Sequence, residues 1–552
     1  MTAPAEQIAV DLERQREVVS ALRTFLPESA VLFAQEDVKP YECDGLTAYR
    51  QVPMVVALPE TEEQVCRILK ECHARKVPVV ARGAGTGLSG GALPLGNGVL
   101  LSLAKFMRIV QMDVRSRTAR VQPGVRNLAI SDAASPLGLY YAPDPSSQIA
   151  CSIGGNVAEN SGGIHCLKYG LTVHNILKLR VATIEGDIVE IGADALDAPG
   201  YDLLALMTGS EGMLGVVTEV TVRLLPKPEY AQVVMASFDD LAKAGEAVAS
   251  VIATGIVPAG FEMMDQAATR AVEGFVQAGY RTDVAAVLLC ESDGTREEVA
   301  DDIRRIQEVM EKSGAVQTQV SRDEPERLRF WAGRKAAFPA AGAISPDYYC
   351  MDGTIPKKRL GEVLRRITAM EEKYGLRCAN VFHAGDGNLH PLILYDANEP
   401  GAFARTEAFG AEILELCLEV GGTITGEHGV GVEKINQMCA QFSSAELAVF
   451  HAVKWAFDQE GLLNPGKAVP TLRRCVEYGR MHVHAGQEKF RSRFKVQGSR
   501  FKVQGSRFKV QGSRFKVQGS SNIGRPMNTK FPTLNFEPGT LNTEHRTRNI
   551  EH

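Results

Sequence analysis

Short apolar runs alternate with amphipathic stretches between Pro53 and Pro228. Met54–Leu58 (MVVAL) reads as a strand, and Thr61 with Gln64 three residues on is a capping box that opens a helix. Val77–Gly83 (VPVVARG) is a second strand, running straight into a glycine-rich segment, and the β-branched stretch before Pro226 is a third. Beyond residue 229 the apolar spacing becomes helical over 239–255, 296–314 and 356–375, with a short strand at 285–292. Residues 445–467 give an amphipathic helix stopped by a Pro turn. Strand–helix alternation with antiparallel pairs predicts an α+β architecture.

A chain of 552 residues is too long for one core. The pattern divides it into an acidic, helical N-terminal segment (1–52), a first domain (53–228), a second (229–470) and a tail (477–552). The tail holds four copies of RFKVQGS, beginning at Arg493, Arg500, Arg507 and Arg514. Phe and Val two apart form no coiled-coil seam, and each copy has too little apolar surface to order itself. The tail is expected to be disordered and dispensable, against the alternative of a basic strap for an acidic partner or a membrane surface. Residues 480–552 carry 15 Lys and Arg against 4 Asp and Glu, so the net −5 hides an acidic body, which argues against nucleic acid as a partner. No apolar run reaches the roughly 18–20 residues that span a bilayer. Eleven scattered cysteines without a C-x-x-C pair fit reduced thiols in the cytoplasm, and leave no cysteine set for an iron–sulfur cluster.

Residues 383–390 read HAGDGNLH. Asp-Gly between apolar runs predicts a two-residue type I′ hairpin with His383 opposite His390, either as a solvated pair or as two ligands of one ion. Pro391 suggests an edge strand. Glu427 and His428 lie on a glycine-flanked turn (GEHGVG), where one could bind metal while the other serves as a base. Two histidines and a carboxylate make a first-row metal site, its identity (zinc, manganese or iron) left open. Arg334 offers a planar fork suited to a carboxylate. Three glycine clusters lie in the first domain: 83–91, 143–163 and 208–226. The first holds five glycines whose backbone N–H groups suit an anion, yet no helix follows as a Rossmann motif needs.

Taken in order, RGAGTGLSGG (82–91), PDPSS (143–147), IGGN (153–156) and GSEGMLGVVT (209–218) resemble the vanillyl-alcohol-oxidase type of FAD-binding domain. The resemblance implies that Arg82, Gly83, Gly85, Thr86, Gly87, Ser89 and Gly90 wrap the pyrophosphate. It also implies that Pro143, Asp144, Ser146, Ser147, Gly154, Gly155, Asn156, Glu211, Gly212, Gly215 and Val216 line the rest of FAD. The first loop has no histidine or cysteine, so a non-covalent flavin is expected. Through DYYCMDGTIP (347–356), the hairpin, TGEHGVGVEK (425–434) and GLLNPGK (461–467), residues 53–470 resemble the FAD-linked 2-hydroxy-acid dehydrogenases, most closely their glycolate-oxidase branch.

In that family the matching residues imply His383, His390 and Glu427 as ligands of a divalent metal. They further imply His428 as base, Arg334 as holder of the substrate carboxylate, and Asn464 near the flavin ring. The absence of lysine from DYYCMDG implies a small monocarboxylate of the glycolate or D-lactate type rather than a dicarboxylate. Companion FAD-binding and iron–sulfur subunits would carry electrons toward quinone, with at most peripheral membrane association at the inner face. The alternatives are a free-standing D-lactate or D-2-hydroxyglutarate dehydrogenase, a non-enzymatic flavin scaffold, and an NADPH-dependent cell-wall precursor reductase.

Overall fold

The computed structural model describes residues 10–195, 200–471 and 474–475. Strands Val55–Ala57, Val99–Ser102 and Val79–Arg82 lie parallel in that order, and Val31–Leu32 pairs antiparallel at the open edge. A parallel pair needs a crossover, supplied between the first and last of these by helix Glu62–Arg75. Thr61 caps that helix by accepting from Gln64 N–H. Strands 55–57 and 99–102 are buried throughout, as expected of a parallel sheet covered on both faces. The C-terminal segment returns here, since Leu463 bridges Val79 in parallel.

A second, antiparallel sheet runs Ile109–Asp113, Thr118–Val121, Val216–Arg223, Ile176–Ala182 and Ile188–Gly192. Helix Ile153–Glu159 packs on its central strand, with Ser152 as N-cap. Gly83, which follows the edge strand of the first sheet, lies so close to this helix that a Cβ there would stand 2.1 Å from Ser152 Oγ. That approach requires glycine.

The third sheet has eight strands, all antiparallel. Seven follow the order Gln317–Val320, Tyr230–Phe238, Ala286–Gly294, Gly260–Asp265, Arg377–His383, Asn388–Tyr395 and Asp347–Cys350, and Gly353–Thr354 adds to 388–395. Its faces are both buried. Phe238, Phe261, Met263, Leu288 and Phe382 pack beneath helices Leu241–Ala253, Arg296–Lys312, Leu360–Tyr374 and Ala402–Glu419. Val287, Leu289, Val381 and Leu392 face helices Gln266–Val276, Glu324–Lys335 and Ala337–Ile344. The predicted helices over 239–255, 296–314 and 356–375, and the one beginning near 445, all form.

Three expectations need correction. His383 pairs with Asn388, and Val381 with His390, so the loop Ala384–Gly387 has four residues rather than two. Tertiary contacts outweigh the Asp-Gly preference: Gly385 N–H donates to Phe261 O and Ile355 N–H to Gly387 O, each at 2.9 Å. The histidines are therefore diagonal neighbours on one face, not direct opposites. Nor is Pro391 on an edge, because its strand is paired on both sides. The regular ladder beside it breaks between Cys350 and Gly353, where Pro391 O still accepts from Met351 N–H at 3.1 Å. Finally, Cys439 and Cys475 form a disulfide, with Cα atoms 5.3 Å apart, where free thiols were expected. The repeat tail lies outside the described residues.

Candidate active site

The glycine clusters converge on one cavity of about 460 Å³. Among the residues expected to hold flavin, Arg82, Gly83, Gly85, Thr86, Gly87, Ser146, Ser147, Gly154, Gly155, Asn156, Glu211, Gly212, Gly215 and Val216 line it. The far wall is His390, Glu427 and His428, with Lys335, Phe338 and Pro339 beside them. The cleft therefore joins the first domain's loops to the ligand cluster of the second.

Ser89, Gly90, Pro143, Asp144 and Asn464 are not on that lining. Asn464 is buried, and its amide donates to Gly91 O (2.9 Å) and Glu211 O (2.6 Å) while its oxygen accepts from Lys467 Nζ. It braces the glycine loop from behind. Asp144 spends both carboxylate oxygens on His165. Ser89 O accepts from Val432 and Glu433 N–H, tying the first loop to the Glu427 loop. Gly431 makes that contact possible, since a Cβ there would stand 2.0 Å from Ser89 O.

His383 and His390 share the sheet face that helix Glu324–Lys335 covers. Their rings lie 4.9 Å apart. Glu427 Oε1 is 3.1 Å from His383 Nε2 and 3.3 Å from His390 Nε2. His383 Nδ1 is held 2.7 Å from Glu262 Oε1, a buried carboxylate that orients the ring. Burial disfavours the charged imidazolium of His383, but Glu262 and Glu427 outweigh it and raise the pKa well above 6.5. Glu427 is opposed by burial and yet pulled down to about 2, first by His383.

Two ligand triads share His390, namely His383–His390–Glu427 and Asp352–His390–His428. Asp352 is already committed: its carboxylate accepts from Thr425 Oγ1, Lys434 Nζ and the N–H groups of Gly426, Glu427 and His428, at 2.6–3.3 Å. By contrast, His390 Nε2 is buried without a hydrogen-bond partner. In the first triad the candidate ligand atoms are instead turned on one another, His383 Nε2 and His390 Nε2 both toward Glu427 Oε1, a set that would suit an ion. His428 stacks on His390 at 4.7 Å, and burial above all lowers its pKa to about 4, so it is neutral in ordinary buffers.

Arg334 is buried rather than solvated, with Nε and Nη2 both 2.7 Å from Glu262 Oε2. Its Nη1 has no partner. Glu262 therefore touches both Arg334 and His383, a link that the sequence reading missed. Glu262, Asp352 and Lys434 are ordinary charged residues in their local patterns, and only the sheet brings them to the site. Asp352 and Lys434 do fall within DYYCMDGTIP and TGEHGVGVEK, but their pairing at 2.9 Å is made only by the fold.

A family model described as "FAD binding domain" matches residues 53–192, and one described as "FAD linked oxidases, C-terminal domain" matches 227–468. The chain is 63% identical over 473 residues to "Glycolate oxidase subunit GlcD" of Escherichia coli K12, covering 86% of this chain and 95% of that one. The protein of the same name in Bacillus subtilis is 38% identical, over 77% and 91%. A D-lactate dehydrogenase of Anaerostipes hadrus is 31% identical, over 82% and 97%. Among solved structures, 4-ethylphenol oxidase from Gulosibacter chungangensis superposes with a TM-score of 0.72 at 17% identity, over 86% of this chain and 100% of that one. p-Cresol methylhydroxylase gives 0.71 at 18%, over 84% and 98%. At those identities the superpositions speak to fold, which is of the vanillyl-alcohol-oxidase type. The chain belongs to the FAD-linked 2-hydroxy-acid oxidoreductase family, alongside the GlcD subunits of glycolate oxidases.

Proposed function

We propose that the chain oxidises a small 2-hydroxy monocarboxylate, of the glycolate or D-lactate type, to the 2-oxo acid beside a non-covalent FAD. One observation carries the reading: His390, Glu427 and neutral His428 form a wall of the same cavity that the glycine loops line. A flavin scaffold without activity has no use for that wall, and neither does an NADPH-dependent reductase. His383, His390 and Glu427 would hold a divalent ion, which when bound supplies Lewis acidity toward a substrate oxygen. FAD supplies the hydride acceptor.

The remaining work falls to the chain. Arg334, buried behind the cavity wall at Lys335, takes the substrate carboxylate on Nη1, a buried nitrogen without a hydrogen-bond partner. His428 receives the hydroxyl proton on Nε2, the nitrogen 3.9 Å from Glu427 Oε1, and its lowered pKa keeps the imidazole unprotonated beforehand. Asp352 fixes the turn that presents His428 by accepting its backbone N–H at 2.9 Å. Phe338 and Pro339 give the cavity an apolar side, which suits a short, uncharged substituent on C2.

Electrons then leave through companion subunits, one of them an iron–sulfur protein, toward quinone. Among the described residues no candidate ligand cluster contains a cysteine. No helix there is long and apolar enough to cross a membrane. Contact with the inner face of the membrane is assigned to the partners. The test is anaerobic mixing of the FAD-loaded chain with glycolate, D-lactate and D-2-hydroxyglutarate, with His428→Asn alongside. Bleaching by the monocarboxylates, slowed by about 10²–10⁴-fold in His428→Asn with flavin retained, supports the reading. Preferential bleaching by the dicarboxylate, or an undiminished variant, overturns it.

A further inference from the structure

His165 takes no part in the chemistry above, yet it joins four charged or polar groups across the two domains. Its backbone N–H donates to Asp144 Oδ1 at 3.1 Å, and Nδ1 lies 2.7 Å from Asp144 Oδ2. Nε2 lies 3.2 Å from Glu291 Oε1. Glu291, a buried residue of strand Ala286–Gly294, accepts with its other oxygen from Arg327 Nη1 at 2.7 Å and from the Trp331 indole N–H. Arg327 and Trp331 belong to helix Glu324–Lys335, which carries Arg334 one turn after Trp331. At the opposite end, Asp144 sits in the PDPSS loop, where Ser146 and Ser147 line the cavity.

The arrangement is a continuous bridge, buried at Glu291 and partly buried at Asp144, His165 and Arg327, from the flavin loop to the helix that bears Arg334. Its charges balance pairwise along the path. Burial disfavours the imidazolium, but Asp144 and Glu291 hold it in place, with a pKa raised well above 6.5. Glu291, opposed by burial, is pulled to about 2 by His165 and Arg327. Without the ring Asp144 would lose its charge partner, and Glu291 would keep only Arg327 and the Trp331 indole, a costly loss where the carboxylate is buried.

We propose that His165 is a positioning residue that latches helix Glu324–Lys335 to the flavin loop, so that Arg334 stands at the distance from the flavin that substrate needs. The proposal rests on the reading of Arg334 as the carboxylate anchor. It predicts an effect on substrate capture rather than on the reactivity of bound substrate. The chain has two tryptophans, Trp331 and Trp455. A Trp455→Phe background therefore makes Trp331 the sole emitter and a direct reporter of the latch.

The experiment uses full-length, FAD-loaded protein in that background, with and without His165→Gln. Expected in the variant are unchanged flavin content, stronger quenching of Trp331 by acrylamide, and half-maximal flavin reduction at about tenfold or more higher glycolate concentration, within the range of site–site coupling. The limiting rate should stay within about threefold. An unchanged half-saturation with unchanged quenching overturns the proposal. So does a fall in limiting rate alone, which would place His165 in the chemistry. If His165→Gln fails to keep FAD, Arg327→Gln decides, since it cuts the far end of the bridge without touching the flavin loop, and normal substrate capture there overturns the latch. Failure of the functional reading is separate, because the unmutated protein would then not bleach with any 2-hydroxy acid.

Discussion

Replacing Asp352 by Asn asks whether one carboxylate holds the turn that carries His428, the proposed base. The side chain is fully buried and accepts from three successive backbone N–H groups, Gly426, Glu427 and His428, besides Thr425 Oγ1 and Lys434 Nζ. Burial opposes its charge, and Lys434 holds the pKa well below the usual carboxylate range. Asparagine keeps the shape but offers one acceptor oxygen and turns the other position into a donor. With the amide oxygen at the Oδ2 position, its NH₂ would confront Glu427 N–H, which now sits 3.1 Å from Oδ1. Lys434, also fully buried, keeps Gly429 O and Thr425 Oγ1 but loses its counter-charge.

Removing one partner of a buried pair costs about 3–5 kcal/mol. For a chain of this size the unfolding entropy is roughly 1 kcal/mol/K, so the melting temperature should fall by about 3–5 °C. The turn that bears Glu427 and His428 should shift as well. A displacement near 1 Å at a catalytic group costs about 10²-fold in rate. Thermal scans at a fixed rate and anaerobic stopped-flow reduction of the flavin measure both effects on one preparation. An Asp352→Asn protein that melts within about 1 °C of the parent and reduces flavin within about threefold would refute the reasoning.

Three other outcomes follow from the same geometry. His383→Ala should retain FAD but lose divalent metal by elemental analysis, with flavin reduction slowed about 10²-fold or more. Gly83→Ala drives a methyl into Ser152 Oγ and should lose flavin while the second domain stays folded, read by visible absorbance and circular dichroism. Glu433 is buried with neither oxygen hydrogen-bonded, Oε2 lying 3.7 Å from Lys434 Nζ, and burial raises its pKa from 4.5 to about 8. A raised folded pKa means stability that is present below 4.5 and lost as pH climbs toward 8, at about 1.4 kcal/mol per pH unit. Glu433→Gln should flatten the fall in melting temperature between pH 5 and 8, and an unchanged slope would contradict the assignment.

Much of this arrangement was legible before any coordinates. The cleft proposed for flavin is written in local glycine spacing, because close backbone approach demands that residue type at fixed positions, and fourteen of the residues named from the sequence line one cavity. Helices such as Arg296–Lys312 announce themselves by apolar period, and Glu62–Arg75 also by Thr61 at its N-cap. The hairpin register was not legible. Asp386-Gly387 favours a two-residue turn in isolation, and only the docking of Gly385 on Phe261 lengthens it. The supporting charges were hidden for a similar reason. Glu262 and Glu291 come from two strands and Asp352 from the break between two others, and their partners are set by strand order. Asn464 and Asp144 show the converse limit, since a motif marks that a residue matters without telling which way its side chain is spent.

The most direct measurement is the visible spectrum of the purified, FAD-reconstituted chain during anaerobic addition of glycolate, with and without prior chelation. The account predicts an oxidised flavin spectrum that bleaches on addition and bleaches far more slowly after chelator treatment. A chain that stays colourless after reconstitution, or bleaches equally fast once stripped of metal, would contradict the claim that the glycine cleft holds flavin against an ion gripped by His383, His390 and Glu427.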